Sequence, residues 1–244
     1  ATLVPQRIVH VAPRGDDTSG DGSAALPFAT IKRAARGVAA GTAIAVHAGI
    51  YGGGIWLENV QGDETAPIWI GGVAGETRPV IEGQSEGMHV AKLAWVVLHD
   101  LEIRGASANG LNVDDGGDYA DAQAAHHVLF QRLFIHDIGG SGNQDCLKLS
   151  GVNDYLVLDS EFASCGEGGS AIDHVGCHRG TIARNLFRDV GSNAVQVKGG
   201  SESIEIRANH VVGGGARAFN LGGSTDFEFF RPPLSDTSPN FEAR

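Results

Sequence analysis

Lysine is scarce in this chain: Lys32, Lys92, Lys148 and Lys198 are the only four in 244 residues. Two of them, Lys148 in "CLKLS" and Lys198 in "AVQVKGG", fall within closely matching short segments. Aspartates occupy neighbouring places in the same pattern, Asp145 just before Lys148 and Asp173 in "AIDHV". A lysine can take a proton from carbon when burial or a nearby cation disfavours its ammonium, and a second cation can stabilise the charge that results. Beside a uronate, that pair of roles supports β-elimination. Two carboxylates can instead act as acid and base on a glycosidic bond, or serve as hard oxygen ligands for calcium. All three chemistries need residues far apart in the chain to share one face.

The chain carries a repeat that brings them together. Gly110-Leu111-Asn112-Val113, Cys146-Leu147-Lys148-Leu149, Ala171-Ile172-Asp173-His174, Ala194-Val195-Gln196-Val197 and Ala218-Phe219-Asn220-Leu221 read small, apolar, polar, mostly apolar. After one longer gap the period is about 24 residues, within the solenoid range. A second series runs out of phase through Val97 to Leu101, Leu129 to Leu133, Leu156 to Ser160, Ile182 to Asn185 and Glu205 to Asn209. Each repeat therefore holds at least two short strands separated by Gly, Asn, Ser and Asp turns. Apolar residues alternate with period two, which excludes helical solenoids, and leucine-rich spacing is absent. Glycine, 36 residues of the total, suits a chain that needs positive φ at many corners. The expected fold is all-β, a parallel β-helix whose coils bury their inward side chains only against neighbouring coils.

If Leu111, Leu147, Ile172, Val195 and Phe219 fill the core, alternation turns Asn112, Lys148, Asp173, Gln196 and Asn220 outward in one column. Asp114, Ser150, Val175, Lys198 and Gly222 form a second. Coils stacked at about 4.8 Å make such residues immediate neighbours. Lys198 is the expected base, with Arg217 and Lys148 as cationic helpers. Asn112, Gln196, Asn220 and His174 are the expected substrate contacts, although His174 falls at an inward position that suits a hydrogen-bonded core histidine. Asp145 and Asp173 are the expected calcium ligands. The plainer reading of the strip is a solvated face with Lys148 and Asp173 as a surface ion pair worth about 0–1 kcal/mol.

The first half reads strand (Ile8 to Val11), Gly/Asp loop, a "PFATI" helix with Phe28, Ile31, Ala35 and Val38 on one face, then the strand "TAIAVHAGIY". That order resembles the N-terminal cap of the pectate-lyase-like superfamily. The resemblance covers roughly residues 8 to 230 and implies a right-handed parallel β-helix with an N-terminal capping helix. The chain is then one domain: residues 1–55 as cap, 56–230 as coils and 231–244 as a polar tail. Lys198 before a polar turn is similar to the lysine base of chondroitinase B and alginate lyases. In those proteins an arginine follows in the matching position of the next coil; here that position is Gly222, and Arg217 lies five residues before it. The resemblance implies a lyase acting on an acidic polysaccharide, calcium as a cofactor, and a secreted or periplasmic location. A glycoside hydrolase using paired aspartates, or a non-catalytic, tailspike-like glycan binder, fits the same fold.

Composition narrows the partners. A net charge of −11 with no basic cluster excludes a phosphate-backbone partner. No apolar run approaches membrane-spanning length, and Ala1 to Pro5 lacks a leader-like pattern, as in a processed or trimmed end. Three cysteines give no disulfide framework, and Cys146 reads as a buried thiol. The acidic stretch from Asp114 to Ala125 is expected to overhang the groove, and the aromatic stretch Phe227 to Pro233 to pack the open end. No second capping helix follows Leu221. Three arrangements answer that: the tail folds over the end, a second copy covers it as a homo-oligomer, or the chain is a piece of a longer β-helix.

Overall fold

The computed structural model describes residues 3–213, 215–235 and 241–244; residues 236–240 of the expected tail lie outside the described residues. Every inter-strand ladder among the named strands is parallel, and the strands form three sheets of nine, seven and seven. One coil runs, for example, through Ala94–His99, Glu102–Arg104 and Leu111–Asp114, one strand per sheet, before the next begins at Ala125–Gln131. The chain is a parallel β-helix. Both sequence series are present. The out-of-phase series lies on the nine-stranded sheet. The lysine-bearing series lies on the seven-stranded sheet ordered from Ile55–Glu58 through Met88–Ala91, Leu111–Asp114, Leu147–Ser150, Ser170–Val175 and Asn193–Lys198 to Arg217–Leu221.

The third sheet was not expected. Its strands, such as Phe134–His136 and Glu161–Ala163, are three residues long. At that length an alternating pattern shows only one inward residue and reads as a turn. Corners also depart from expectation, because many are not glycine. Asp100, Arg132, Asp159, Arg184 and Ala208, each just after a strand of the first sheet or a residue beyond it, adopt φ of 52–59°. Left-handed backbone costs a non-glycine residue something. Part of that is offset where the corner side chains pair between coils: Arg132 chelates Asp100 at 2.7 and 2.6 Å, and Arg184 chelates Asp159 at 2.6 and 2.9 Å.

The core is a set of inward columns. Leu111, Leu147, Ile172 and Val195 are fully buried in one register, and Phe162 stacks on Phe187 with ring centroids 5.4 Å apart. The column frays at its end, where Phe219 is 47 % exposed. At the other end the helix spans only Ile31–Ala35, little more than one turn. Thr30 caps it by accepting the Arg33 N–H, and Asp17 of the polar loop accepts the Thr30 hydroxyl at 2.6 Å. Arg36 leaves helical geometry, so Val38 packs from a loop rather than from a longer capping helix. The helix lies against Arg7–Val11, Thr42–Val46 and Ile55–Glu58.

One further expectation is overturned. Cys146 is not a free thiol: it is disulfide-bonded to Cys165, with Cα atoms 5.3 Å apart, and Cys177 is the buried free cysteine. The pairing is hidden in the sequence because it joins the entry of one strand to the exit of another across a corner. The polar tail folds back onto the coils, the first of the three arrangements expected for it. Phe230 and Arg231 are buried, and Arg231 reaches back to Asp115, donating from Nε at 2.6 Å and from Nη2 at 3.0 Å. Glycines make room for it. A Cβ at Gly176 would stand 2.4 Å from the Arg231 side chain, and one at Gly151 would stand 2.2 Å from the Asp115 carboxylate. Ala243 adds a parallel bridge to Ser201, so the tail's last residues return to the stack.

Two stability measurements follow. Replacing Cys146 and Cys165 with alanine should cost about 2–5 kcal/mol, the usual range for a native disulfide; a Tm unmoved by dithiothreitol would show that the bond contributes nothing. Arg231→Met leaves Asp115 buried without its counter-charge and should cost about 3–5 kcal/mol, visible as a lower urea midpoint.

Candidate functional site

Outward residues of the lysine-bearing sheet stand in one register from end to end. Trp56, His89, Asn112, Lys148, Asp173, Gln196 and Asn220 are successive partners. Asp114, Ser150, Val175 and Lys198 form the parallel column two residues on. The first expected column is present in full, the second as far as Lys198 but without Gly222, and the first extends two coils further back, through His89 to Trp56. "MHVA" and "IWLE" carry the same alternation, but with only four residues each and no lysine or aspartate to mark them.

The centre of the site is a buried carboxylate between two ammonium groups. Asp173, 2 % exposed, accepts from Lys148 Nζ at 2.6 Å and is ion-paired with Lys198 Nζ at 3.5 Å. Lys148 also donates to Asp145, which is 1 % exposed, at 3.2 Å. The other Asp145 oxygen accepts the Ser170 N–H at 2.7 Å. Burial works against the Lys148 ammonium, but the charges of Asp173 and Asp145 outweigh it and raise its pKa well above the lysine range. Lys148 is thus a permanent cation. Burial and then the Asp173 charge raise the Asp145 carboxyl, against the pull of Lys148. Asp173 keeps one buried oxygen without a hydrogen-bond partner.

Both lysines line a cavity of about 420 Å³ that opens over Ser150 and Val175. Its walls come from outside the sheet. Gly117 and Tyr119 belong to the acidic insert, which does overhang the groove, while Thr225, Asp226 and Phe229 follow the last strand and Arg231 opens the tail. The walls hold each other: the Arg231 guanidinium lies 4.2 Å over the Tyr119 ring, and Tyr119 meets Phe229 edge-on at 6.2 Å.

Several expected residues are elsewhere. Arg217 pairs in register with Asn193, five residues before Lys198 on the neighbouring strand. At about 3.3 Å per residue, it stands roughly 16 Å from Lys198 along the sheet, so it is no helper to that base. His174 is fully buried; its Nδ1 bonds the Gln196 carbonyl at 2.8 Å and its ring stacks on Tyr155. Desolvation lowers its pKa to about 4. It is a neutral core histidine, out of reach of any substrate. Gln196 and Asn220 face outward but spend their amides on the chain itself, both donating to the Gly222 carbonyl, at 2.5 and 3.2 Å. Asn112 donates to Glu86 at 3.1 Å.

Asp145 and Asp173 do not fit a calcium ion. Calcium takes six to eight oxygens, whereas here the Lys148 ammonium bridges the two carboxylates. Among the described residues no group of three or more His, Cys, Asp or Glu side chains is placed to hold a metal. The same burial removes them as a hydrolytic pair, since neither can flank a glycosidic bond.

The sequence reading missed a second charged cluster on this face. His89 lies between Glu86, at 2.9 Å from Nδ1, and Asp114, at 2.6 Å from Nε2, and packs against Trp56 at 4.2 Å between centroids. Burial opposes the imidazolium, but the hydrogen bonds it donates to Asp114 and Glu86 outweigh that and raise His89 to about 9.

No family model and no curated protein matches the sequence. Solved structures do. The chain is similar to pectate lyase Pel9A over 83 % of its own length and 62 % of that protein, at 17 % identity and TM-score 0.60. It is similar to a GH136 lacto-N-biosidase from Eubacterium ramulus over 84 % of itself and 56 % of that chain, at 12 % identity and TM-score 0.53. Similarity to XylC in complex with xylose covers 89 % and 66 %, at 12 % identity and TM-score 0.52. The chain thus spans about three-fifths of the length of these proteins, and what it shares with them is the parallel β-helix fold.

His89 offers a direct check on the electrostatics. Its folded pKa lies above the ordinary 6.5, so its contribution to stability is complete below pH 6.5 and disappears as pH rises through about 9. His89→Gln should lower the Tm clearly near pH 6 and hardly at all near pH 10; an equal loss at both would mean that the ring acts only as a packed spacer.

Proposed function

We propose that this chain is a polysaccharide lyase, wound right-handed as crossover connections between parallel strands favour, that cleaves a uronate-containing glycan by β-elimination. One observation carries the reading: the Asp173 carboxylate presents the Lys148 and Lys198 ammonium groups side by side on a cavity of monosaccharide scale. The fold does not choose the reaction, because a pectate lyase and a lacto-N-biosidase share it. The side chains favour elimination over hydrolysis.

In the proposed reaction Lys148, always charged, neutralises the uronate carboxylate and stabilises the enolate-like state. Lys198, held by Asp173 alone, releases a proton to solvent and then takes the proton from the carbon next to that carboxylate. The electron pair forms the new carbon–carbon double bond as the bond to the leaving oxygen breaks, and that oxygen takes a proton from solvent. Asp173 positions both amines without touching substrate. A glycan is the partner this site suits: the two lysine amines line the cavity as hydrogen-bond donors, with Asp145 and Asp173 behind them balancing their charge. The Cys146–Cys165 bond supports a secreted or periplasmic location, since disulfides persist in oxidising compartments.

The test is ultraviolet absorbance of unsaturated product on alginate, pectate and glycosaminoglycans. Lys198→Ala should lose about 10²–10⁴-fold in kcat, the usual contribution of general acid–base catalysis, with only a small loss of Tm because Lys148 still pairs Asp173 at 2.6 Å. Lys148→Ala should raise KM as well as lower kcat. Reducing ends released without that absorbance would replace elimination with hydrolysis, and a full rate in Lys198→Ala would remove the base assignment.

A further inference from the structure

The outward face of this sheet does not stay open along its length. Gln196 is in register with Asp173 on the solvent side, yet it is only 7 % exposed. The cause is the chain itself. After Arg217–Leu221 the backbone turns at Gly222, φ 88°, and steps back over the previous strand. The Gly222 carbonyl takes the Gln196 amide at 2.5 Å. A Cβ on Gly223 would lie 2.8 Å from Gln196 Nε2 and 3.5 Å from Lys198 Cδ, so this crossing rests directly on the outward side chains of the strand.

The crossing is anchored on both sides. Thr225 donates its N–H and hydroxyl to Glu242 at 3.1 and 2.8 Å, and Glu242 also accepts the Gly199 N–H at 3.0 Å. Further along, the tail is locked by Arg231 on Asp115. The lysine pocket is therefore a dead end on the side of the last coils. On the other side the same column continues through half-buried Asn112 and His89 to Trp56, which is 47 % exposed. Trp56 is three rungs from Lys148, about 14 Å at the strand spacing.

We infer that the site takes the end of a glycan chain rather than its interior, with Gly222, Gly223 and Thr225 as the stop and the remainder of the chain leaving over Asn112, His89 and Trp56. This rests on the uronate reading of the pocket. A polymer bound by its middle must pass over the rungs on both sides of the lysines, and one side is filled by backbone hydrogen-bonded to the sheet.

The experiment uses the full chain with oligouronate hexamers carrying a bulky fluorophore on the reducing end, the non-reducing end, both or neither. Cleavage is followed by unsaturated-product absorbance and affinity by calorimetry. One label position should weaken both rate and affinity by at least about tenfold while the other is tolerated, and a long polymer should release a single product size from the first turnovers. A doubly labelled hexamer handled as well as the unlabelled one, or an early spread of mid-length fragments, would overturn end recognition while leaving the lyase reading intact. Failure of every unlabelled oligouronate to bind would overturn the uronate reading itself, and end recognition with it.

Discussion

Parallel, in-register stacking is the constraint on which everything else in this molecule rests. Each strand of the lysine-bearing sheet is held by its neighbours so that Lys148 faces Asp173 and Val175 faces Lys198. A slip of one residue would exchange the faces. It would drive Asp173 into the apolar core and lift His174 out of its hydrogen bond to the Gln196 carbonyl. Burying an unpaired carboxylate is costly enough to forbid that alternative. Register thus specifies the core and the polar face together.

The ion cluster built on this register is poised rather than merely stable. Asp173 is almost wholly buried, and two ammonium groups from different rungs compensate its desolvation. Lys148 is bound by two carboxylates and Lys198 by one, at the longer distance. The proposed reaction uses that asymmetry between two chemically identical side chains, with Lys148 as the fixed cation and Lys198 as the group that approaches the substrate. In a chain of net charge −11 the overall field opposes an acidic polymer, so the proposed substrate would have to be held by this local arrangement.

A solenoid face is by nature an open trough, with no end and no walls. Here the walls are supplied by two irregular segments that need each other. The acidic insert contributes Asp115 and Tyr119; the chain after the last strand contributes Phe229 and Arg231. Removing either would leave a buried charge unpaired, so the trough and its enclosure are energetically one unit. The glycines that follow the site strands, Gly151 and Gly176, serve the enclosure twice: their left-handed φ turns the corner, and their missing Cβ admits the Arg231 side chain.

How much of this was readable without coordinates follows from the range of the interactions. Alternation and a period of about 24 residues are local properties. They were sufficient for the parallel coil, for the column Asn112–Lys148–Asp173–Gln196–Asn220, and for the approach of Lys198 to Asp173. The third sheet escaped because three-residue strands carry too little pattern, and His89 because its repeat lacked a lysine or aspartate to draw notice. Arg217 was misplaced because proximity in repeat number was taken for proximity along the strand. The Cys146–Cys165 bond, the burial of Gln196 and the Arg231–Asp115 pair, 116 residues apart, depend on the path the chain takes after leaving the repeat. A repeating sequence determines its own neighbours, rung upon rung. Where an irregular segment returns to lie is decided only by which buried charge and which missing side chain are there to receive it.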